Sequence, residues 1–284
     1  MGYARLLVTA SKASLTGGSF ADSLTANTGD SLGIQNYVNG GARLTHAWGI
    51  DSASVMEGQI LMTRYESVHD QSHGYRFEIP SLAPGGAGAV GAHTIFRPPF
   101  KIAAFSGDTV TIQVTGTAAD AVVVSYIAEY DDLPGVRATF ATWDQVQAVK
   151  TTVIGLNQIP VASATKGAYG ASRALNADDS RLSADKYYAI LGCSVQTQVT
   201  TISLQSTTWG GQRIGIPVGA LDLDNNMWFV TESIASGKPL IPIINANDAG
   251  NVLVQVADSA ASTSPKVDWV MYELSRNPLE GSLV

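Results

Sequence analysis

The chain has 284 residues, of which 45% are hydrophobic and only 14% are charged, and its net charge is −7 at pH 7. Because the charged fraction is well below the usual quarter of a soluble chain, either the protein is compact or partners cover much of its surface. The acidic balance argues against a broad nucleic-acid-binding surface, and no apolar run approaches the ~18 residues of a membrane span. The single cysteine, Cys193, excludes an internal disulfide and a cysteine-based metal cage, and its apolar neighbours predict that it is buried.

Strand patterns dominate the chain, and they occur twice. Four segments of the first half recur in the same order in the second half, with an offset that drifts by a few residues, as loop insertions between fixed strands produce. We interpret this as a duplication of one unit. The pairs are 47–52 with 190–195, 75–80 with 212–217, 99–114 with 239–256, and 124–127 with 270–273.

The third pair has the clearest strand signal. Val110, Ile112 and Val114 alternate with Thr111 and Gln113, which is the period of a strand with one buried face. In each half a turn region and one last strand follow, so a hairpin is predicted to close each half.

Helix is sparse in the sequence, and the best candidate is near residues 142–150. Thr142 can cap this helix, with Gln145 three residues later completing a capping box. The β-branched run 151–153 should return the chain to strand. The side chains that share the predicted buried face are Trp143, Val146 and Val149.

A break at Pro134 and Gly135 separates the two halves. We therefore predict one jelly roll over residues 1–135, and a linker helix with a second jelly roll over residues 136–284. About 140 residues of short strands suit an eight-stranded jelly roll, whereas an immunoglobulin-like sandwich is nearer ~100 residues and a propeller has shorter repeats. The predicted fold is all-β, with two tandem eight-stranded antiparallel jelly rolls (a double jelly roll) and little helix.

The four histidines, His46, His69, His73 and His93, all lie in the first half. A cupin metal site needs several histidines that converge with a glutamate inside one barrel. His69 and His73 are too far apart on an extended strand to share one ion, and they flank loop-forming residues. We interpret them as solvated loop histidines and predict no metal site.

Other motifs of chemistry are weak or missing. The acidic run 222–226 resembles the start of a calcium loop, but the central glycine and the terminal glutamate are missing from their positions, so a solvated turn is favoured. Neither a nucleophile elbow nor a phosphate-binding glycine loop is present. We predict no catalytic residue and no cofactor-binding residue, and therefore no enzyme and no cofactor.

The tryptophans offer one alternative function. Trp48 and Trp269 lie inside strand patterns and are predicted to be buried in the core. Trp209 precedes two glycines and is the candidate for an exposed ring on which a sugar could stack. A carbohydrate-binding spike or fibre protein is therefore one alternative, and a divergent two-domain cupin-like enzyme is another.

With its paired segments that end at Pro80 and Pro217 and its paired closing hairpins near Tyr126 and Tyr272, the whole chain resembles the double jelly-roll major capsid proteins of tailless icosahedral viruses. The compact members from membrane-containing bacteriophages are the most similar in size.

The resemblance implies a structural protein whose homotrimer forms a pseudo-hexagonal tile of an icosahedral shell. It implies neighbouring capsomers and minor capsid or vertex proteins as partners, and an internal membrane, which residues 3–8 would face. No direct sequence-specific contact with nucleic acid is expected. The expected location is the virion, after assembly in the host cytoplasm.

Overall fold

The computed structural model of the chain describes residues 2–33, 42–51, 56–62, 75–82, 102–104, 110–133, 139–196, 199–218, 223–258 and 265–280. The strands of the first half are β1 (Gly2–Lys12), β2 (Gly18–Ser23), β3 (Thr25–Ala26), β4 (Ala42–Asp51), β5 (Met56–Met62), β6 (Tyr75–Leu82), β7 (Ile102–Ala104), β8 (Val110–Gly116) and β9 (Val122–Leu133).

The second half contains further strands and the helices of the described ranges. Its strands are β10 (Phe140–Ala141), β11 (Lys150–Gln158), β12 (Arg173–Ala174), β13 (Tyr187–Gln196), β14 (Val199–Ser206), β15 (Arg213–Pro217), β16 (Ile241–Asn245), β17 (Val252–Asp258) and β18 (Lys266–Leu274). The α-helices are α1 (Trp143–Gln147) and α2 (Trp228–Ser236), and short 3-10 helices span Thr207–Trp209, Leu223–Met227 and Ala246–Asn251.

These strands form four antiparallel sheets, two in each half. In the first half, sheet I has the order β3, β1, β9, β4, β7, and sheet II has the order β2, β8, β5, β6. In the second half, sheet III has the order β10, β16, β13, β18, β11, and sheet IV has the order β12, β17, β14, β15.

The strand order is the same in both halves once the two-residue edge strands β3 and β10 are set aside. In each half the first, eighth, third and sixth strands form one sheet, and the second, seventh, fourth and fifth form the other. This alternation between two sheets is the connectivity of an eight-stranded jelly roll. The predicted fold class, two tandem antiparallel jelly rolls with little helix, is confirmed.

The four predicted repeat pairs fall on equivalent strands, namely β4 with β13, β6 with β15, β8 with β17, and β9 with β18. The last pair has the correct strands but the wrong register. Tyr126 points into its own jelly roll, because its neighbour Ser125 points out toward Thr201. Tyr272 points outward, because its neighbour Met271 is fully buried. A slip of one residue exchanges the two faces of a strand.

Each jelly roll has its own apolar core between its two sheets. In the N-terminal roll, Val110, Ile112 and Val114 on β8 are fully buried, and each such burial stabilises the fold by about 1.5–3 kcal/mol. In the C-terminal roll, the buried Trp269 on β18 donates its indole N–H to Gln158 Oε1 at 3.0 Å. This bond satisfies the one polar group of the Trp269 side chain.

The predicted helix is present and shorter than expected. Thr142 caps α1, and its capping box with Gln145 is complete. The chain returns to strand at Lys150, as the β-branched residues predicted. The sequence did not predict α2. Gly237, with a φ of 66°, caps its C-terminal end. The break at 134–135 lies outside the described residues, so the division into domains 1–135 and 136–284 stays a prediction.

Candidate functional site: the junction between the two jelly rolls

The two jelly rolls meet through one sheet face each. Outward side chains of sheet I, on β1, β4 and β9, contact outward side chains of sheet IV, on β14 and β15. Leu7 on β1 lies against Gly215 on β15. Trp48 on β4 and Ser125 on β9 both reach Thr201 on β14. We call this contact the junction.

A chain of buried hydrogen bonds runs through the middle of the junction. The Trp48 indole N–H donates to Thr201 Oγ1 at 3.1 Å, and Thr201 Oγ1 lies 2.8 Å from Ser125 Oγ. Ser125 Oγ lies 2.8 Å from Thr9 Oγ1, which accepts from the Tyr169 hydroxyl at 2.7 Å. Because buried polar groups are costly without partners, sliding one roll over the other would break this chain. The network therefore specifies one arrangement of the two rolls.

A glycine allows the two sheets to approach closely. A methyl group at Gly215 would overlap Leu7 Cδ2 of the other roll and would lie 2.9 Å from the Ile202 carbonyl oxygen. Any larger residue at this position would push the sheets apart, so the absence of a side chain is a condition of the close packing.

Buried ion pairs close one end of the junction. Arg5 Nε lies 3.1 Å from Glu129 Oε2, and Arg5 Nη1 lies 2.5 Å from Glu232 Oε2 on α2 of the other roll. His46 Nε2 lies 3.4 Å from the same Glu232 oxygen. Burial acts to raise the pKa of Glu232, but the bonds and charges of His46 and Arg5 lower this pKa to about 2. Glu232 is therefore held ionised between the two rolls.

A second buried ion pair closes the other end. Arg213 Nη1 lies 2.5 Å from Asp30 Oδ1, and the Thr9 N–H donates to Asp30 Oδ2 at 2.8 Å. The Arg213 guanidinium also lies over the Tyr169 ring at 4.5 Å and donates to Gln255 Oε1 at 2.8 Å. Burial raises the pKa of Asp30 to about 6, although Arg213 acts to lower it.

Three cavities lined by described residues are smaller than a typical ligand pocket. The cavity inside the junction, beside Arg5, Glu232 and Gly215, measures about 30 Å³, which is room for a water molecule. Two further pockets measure about 160 and 230 Å³, whereas ligand pockets usually exceed about 300 Å³. The junction is therefore a packed contact.

The histidines predicted to be solvated lie outside the described residues, as does His93. His46 is buried at the junction, where its ring edge meets Trp228 at 5.6 Å between centroids. Within the ranges that the structure describes, no group of three or more histidine, cysteine or acidic side chains could hold a metal ion.

Two predictions for the second half concern the acidic run 222–226 and Cys193. The start of the acidic run 222–226 lies outside the described residues, but Asn225 is buried, so this part is not a solvated turn. Cys193 is fully buried as predicted, and burial raises the pKa of its thiol, which leaves it unreactive.

The interpretation of Trp209 as an exposed sugar platform is wrong. Trp209 is fully buried, because the 3-10 helix Thr207–Trp209 turns its ring inward, 5.7 Å from the Phe140 ring. Trp48 and Trp269 are buried as predicted. Trp48, however, faces the junction and not the core of one roll.

Residues 3–8, predicted to face a membrane, form part of β1. Ala4, Leu6 and Leu7 are buried against the rest of the chain, so these apolar side chains are not available to lipid. No helix in the described ranges is long and apolar enough to cross a membrane.

Sequence reasoning missed the junction itself. Its partners are distant in the chain, with 227 positions between Arg5 and Glu232 and 153 between Trp48 and Thr201. The one available signal was a glycine, Gly215, at an outward position of a predicted strand.

No protein-family model matches the chain, and no curated protein matches it. Among solved structures, the chain is similar to the STIV MCP, a viral major capsid protein, at 11% identity and a TM-score of 0.21, with 97% of this chain and 99% of that chain covered. It is similar to the major capsid protein P2 from bacteriophage PM2 at 8% identity and a TM-score of 0.23, with the same coverage. It is also similar to infectious bursal disease virus Gt strain at 12% identity and a TM-score of 0.14, with 96% and 71% covered. The fold assignment rests on the strand order of the four sheets.

Proposed function

We propose that this chain is a capsid protein whose homotrimer forms a pseudo-hexagonal tile of an icosahedral viral shell. The observation that carries the proposal is the junction, in which the outer face of sheet I in one roll packs on the outer face of sheet IV in the other. These are different faces of the repeated unit, so the contact is head-to-tail.

A head-to-tail contact between similar units leaves one face of each kind unmatched. In this chain the unmatched faces are the outer face of sheet II and the outer face of sheet III. Repeated head-to-tail contacts either close into a ring or continue as a filament. Three chains supply six jelly rolls, and a ring of six rolls is the closed form that the proposal requires.

The low charge of the chain supports this function. Only 14% of its residues are charged, and charged residues are depleted at the centres of protein interfaces. A tile with neighbours on all sides buries much of its lateral surface. The proposal includes neighbouring capsomers and minor capsid or vertex proteins as partners, within a virion assembled in the host cytoplasm. It also includes an internal membrane, which the buried Ala4, Leu6 and Leu7 would not contact.

The proposal includes no enzymatic activity and no sequence-specific contact with nucleic acid. The small volumes of the three cavities support the first part, and the net charge of −7 supports the second. The burial of Trp209 removes the tryptophan that the sequence offered as a sugar platform for the carbohydrate-binding alternative.

Size-exclusion chromatography with light scattering tests the proposal. We expect a mass of three times the 29.7 kDa of one chain, or a larger multiple of three. A monomer that persists at millimolar concentration would contradict the proposal.

A further inference from the structure

We infer that an uncovered strip on sheet III of one chain is the docking surface for the outer face of sheet II in a second copy of this chain. The strip consists of Val153 and Gly155 on β11 with Val270 and Tyr272 on β18, and we call it the β11–β18 strip. The inference rests on the proposed function and names the surfaces through which the trimer forms.

The strand register places the four residues of the strip on one face. Val153 lies opposite Tyr272, and Gly155 lies opposite Val270. The alternate position Met271 points into the core and is fully buried. In the single chain, Val153 is 56% exposed, which is unusual for a valine in the middle of a strand.

On β13, the same sheet face is covered by the chain itself. The outward position Gly192 on β13 lies against the backbone of Asn225 and Asn226, so closely that a methyl group there would overlap it. The 3-10 helix Leu223–Met227 therefore covers β13, α2 contacts both of them, and α1 contacts α2. Among the described residues of β11, β13 and β18, the β11–β18 strip is the part of this face that is left for a partner.

The strip has the composition of an interface, with an apolar centre and polar ends. At one end, Lys150 Nζ lies 5.2 Å from the Tyr272 ring centroid and 5.6 Å from the Trp143 ring centroid. At the other end, Arg181 is paired with Asp179. Aromatic residues and a polar rim around an apolar centre characterise protein interfaces.

On β8 and β2, the proposed occupant presents polar side chains. On β8 of sheet II, Thr111, Gln113 and Thr115 alternate with buried residues and point outward, and the exposed Ser23 on β2 lies opposite Gln113. The junction has the same chemistry on its sheet IV side, where Thr201, Ser203 and Gly215 occupy outward positions.

The seventh strands of the two rolls, β8 in sheet II and β17 in sheet IV, also correspond residue by residue. Gln113 lies between the buried Ile112 and Val114, and Gln255 lies between the buried Val254 and Val256. In the chain, Gln255 accepts from Arg213 at the junction. The outer face of sheet II is therefore the counterpart of a face that already packs against a jelly roll.

Disulfide trapping between two differently tagged, co-expressed chains tests the inference. One chain carries Val153→Cys or Val270→Cys, and the other carries Thr111→Cys or Gln113→Cys. Cys193 stays silent because it is fully buried. We expect a disulfide-linked dimer on oxidation of at least one pair, and none from either variant alone, because each then has only one half of the contact.

Leu253→Cys is the matched control for Thr111→Cys. Leu253 on β17 is the counterpart of Thr111 on β8, and it is 36% exposed. A chain with Leu253→Cys should not cross-link to a chain with Val153→Cys. A Val153→Asp, Val270→Asp double variant should lose the trimer and give a folded monomer, whereas Leu253→Asp should keep the trimer.

The outcomes separate the two proposals. If the wild-type protein is a trimer but no strip pair cross-links and the double aspartate variant remains trimeric, the docking surface is wrong and the proposed function stands. If the wild-type protein is a monomer, both proposals are wrong.

Discussion

The outer faces of sheet I and sheet III occupy the same position in two jelly rolls of the same strand order, yet different structures cover them. Sheet I meets the other jelly roll through Leu7, Trp48 and Ser125. On sheet III, a 3-10 helix covers Gly192 on β13, whereas Val153 on the edge strand β11 is 56% exposed. Strand order alone therefore does not decide what a sheet face contacts.

The difference shows that inner and outer faces specify different things. The inner faces of both rolls carry alternating buried apolar residues, such as Ile112 and Val254, and these produce the same sandwich twice. The outer faces differ in hydroxyl groups, ion pairs and glycines. In our account, the inner faces specify the fold and the outer faces specify which surfaces assemble.

The largest expected effect comes from truncating Trp48, on the covered outer face of sheet I. Trp48→Ala should destabilise the chain by about 3–5 kcal/mol, because it opens a large cavity and removes the indole N–H that donates to Thr201. Urea unfolding at one fixed chain concentration measures this change. Ile234→Ala, at a side chain on α2 that is 60% exposed, is the control and should change the free energy of unfolding by less than about 0.5 kcal/mol. Equal losses at the two positions would contradict the comparison.

A smaller effect is expected at the buried ion pairs. Glu232→Gln should cost about 1.5–3 kcal/mol at pH 7, because it removes the charge that pairs with Arg5. The pKa of Glu232 is lowered from 4.5 to about 2 in the folded chain, so its stabilising contribution is present above pH 4.5 and is lost as the pH falls toward 2.

Unfolding measured between pH 7 and pH 2 checks this prediction. The wild-type chain should lose stability more steeply than Glu232→Gln in the window from pH 4.5 to pH 2. Parallel curves for the two proteins would show that Glu232 does not link the rolls electrostatically.

The smallest expected effect concerns Gly215, where sheet IV packs closely against sheet I. Gly215→Ala should destabilise the chain by about 1–3 kcal/mol through overpacking. Leu7→Ala should reduce that cost in the double variant, because the added methyl overlaps the Leu7 side chain.

A double-mutant cycle measured by urea unfolding gives the coupling between the two positions. Gly250→Ala is a suitable control, since its methyl group would meet only Asn176 Oδ1, at 4.0 Å. Additive effects of Gly215→Ala and Leu7→Ala would mean that the rolls do not touch there.

The sequence predicted features that depend on neighbouring residues. The capping box of Thr142 and Gln145 acts over three positions, and the alternation from Val110 to Val114 acts over five. Both were predicted correctly, and so were the strands of the duplication.

Features that depend on distant residues were missed or misjudged. Nothing near Trp209 indicates that a 3-10 turn brings its ring to Phe140. The match of Tyr126 with Tyr272 found the correct strands but placed them one residue out of register, because only the packed sheets show which face is inward. The junction joins residues more than 150 positions apart, so local patterns carry no record of it.

Electron microscopy of the purified, negatively stained protein tests the central claim most directly. The account predicts single particles that show six lobes of similar size around one centre in projection, two from each chain. Isolated two-lobed particles, or open filaments of lobes, would contradict the proposed closed tile.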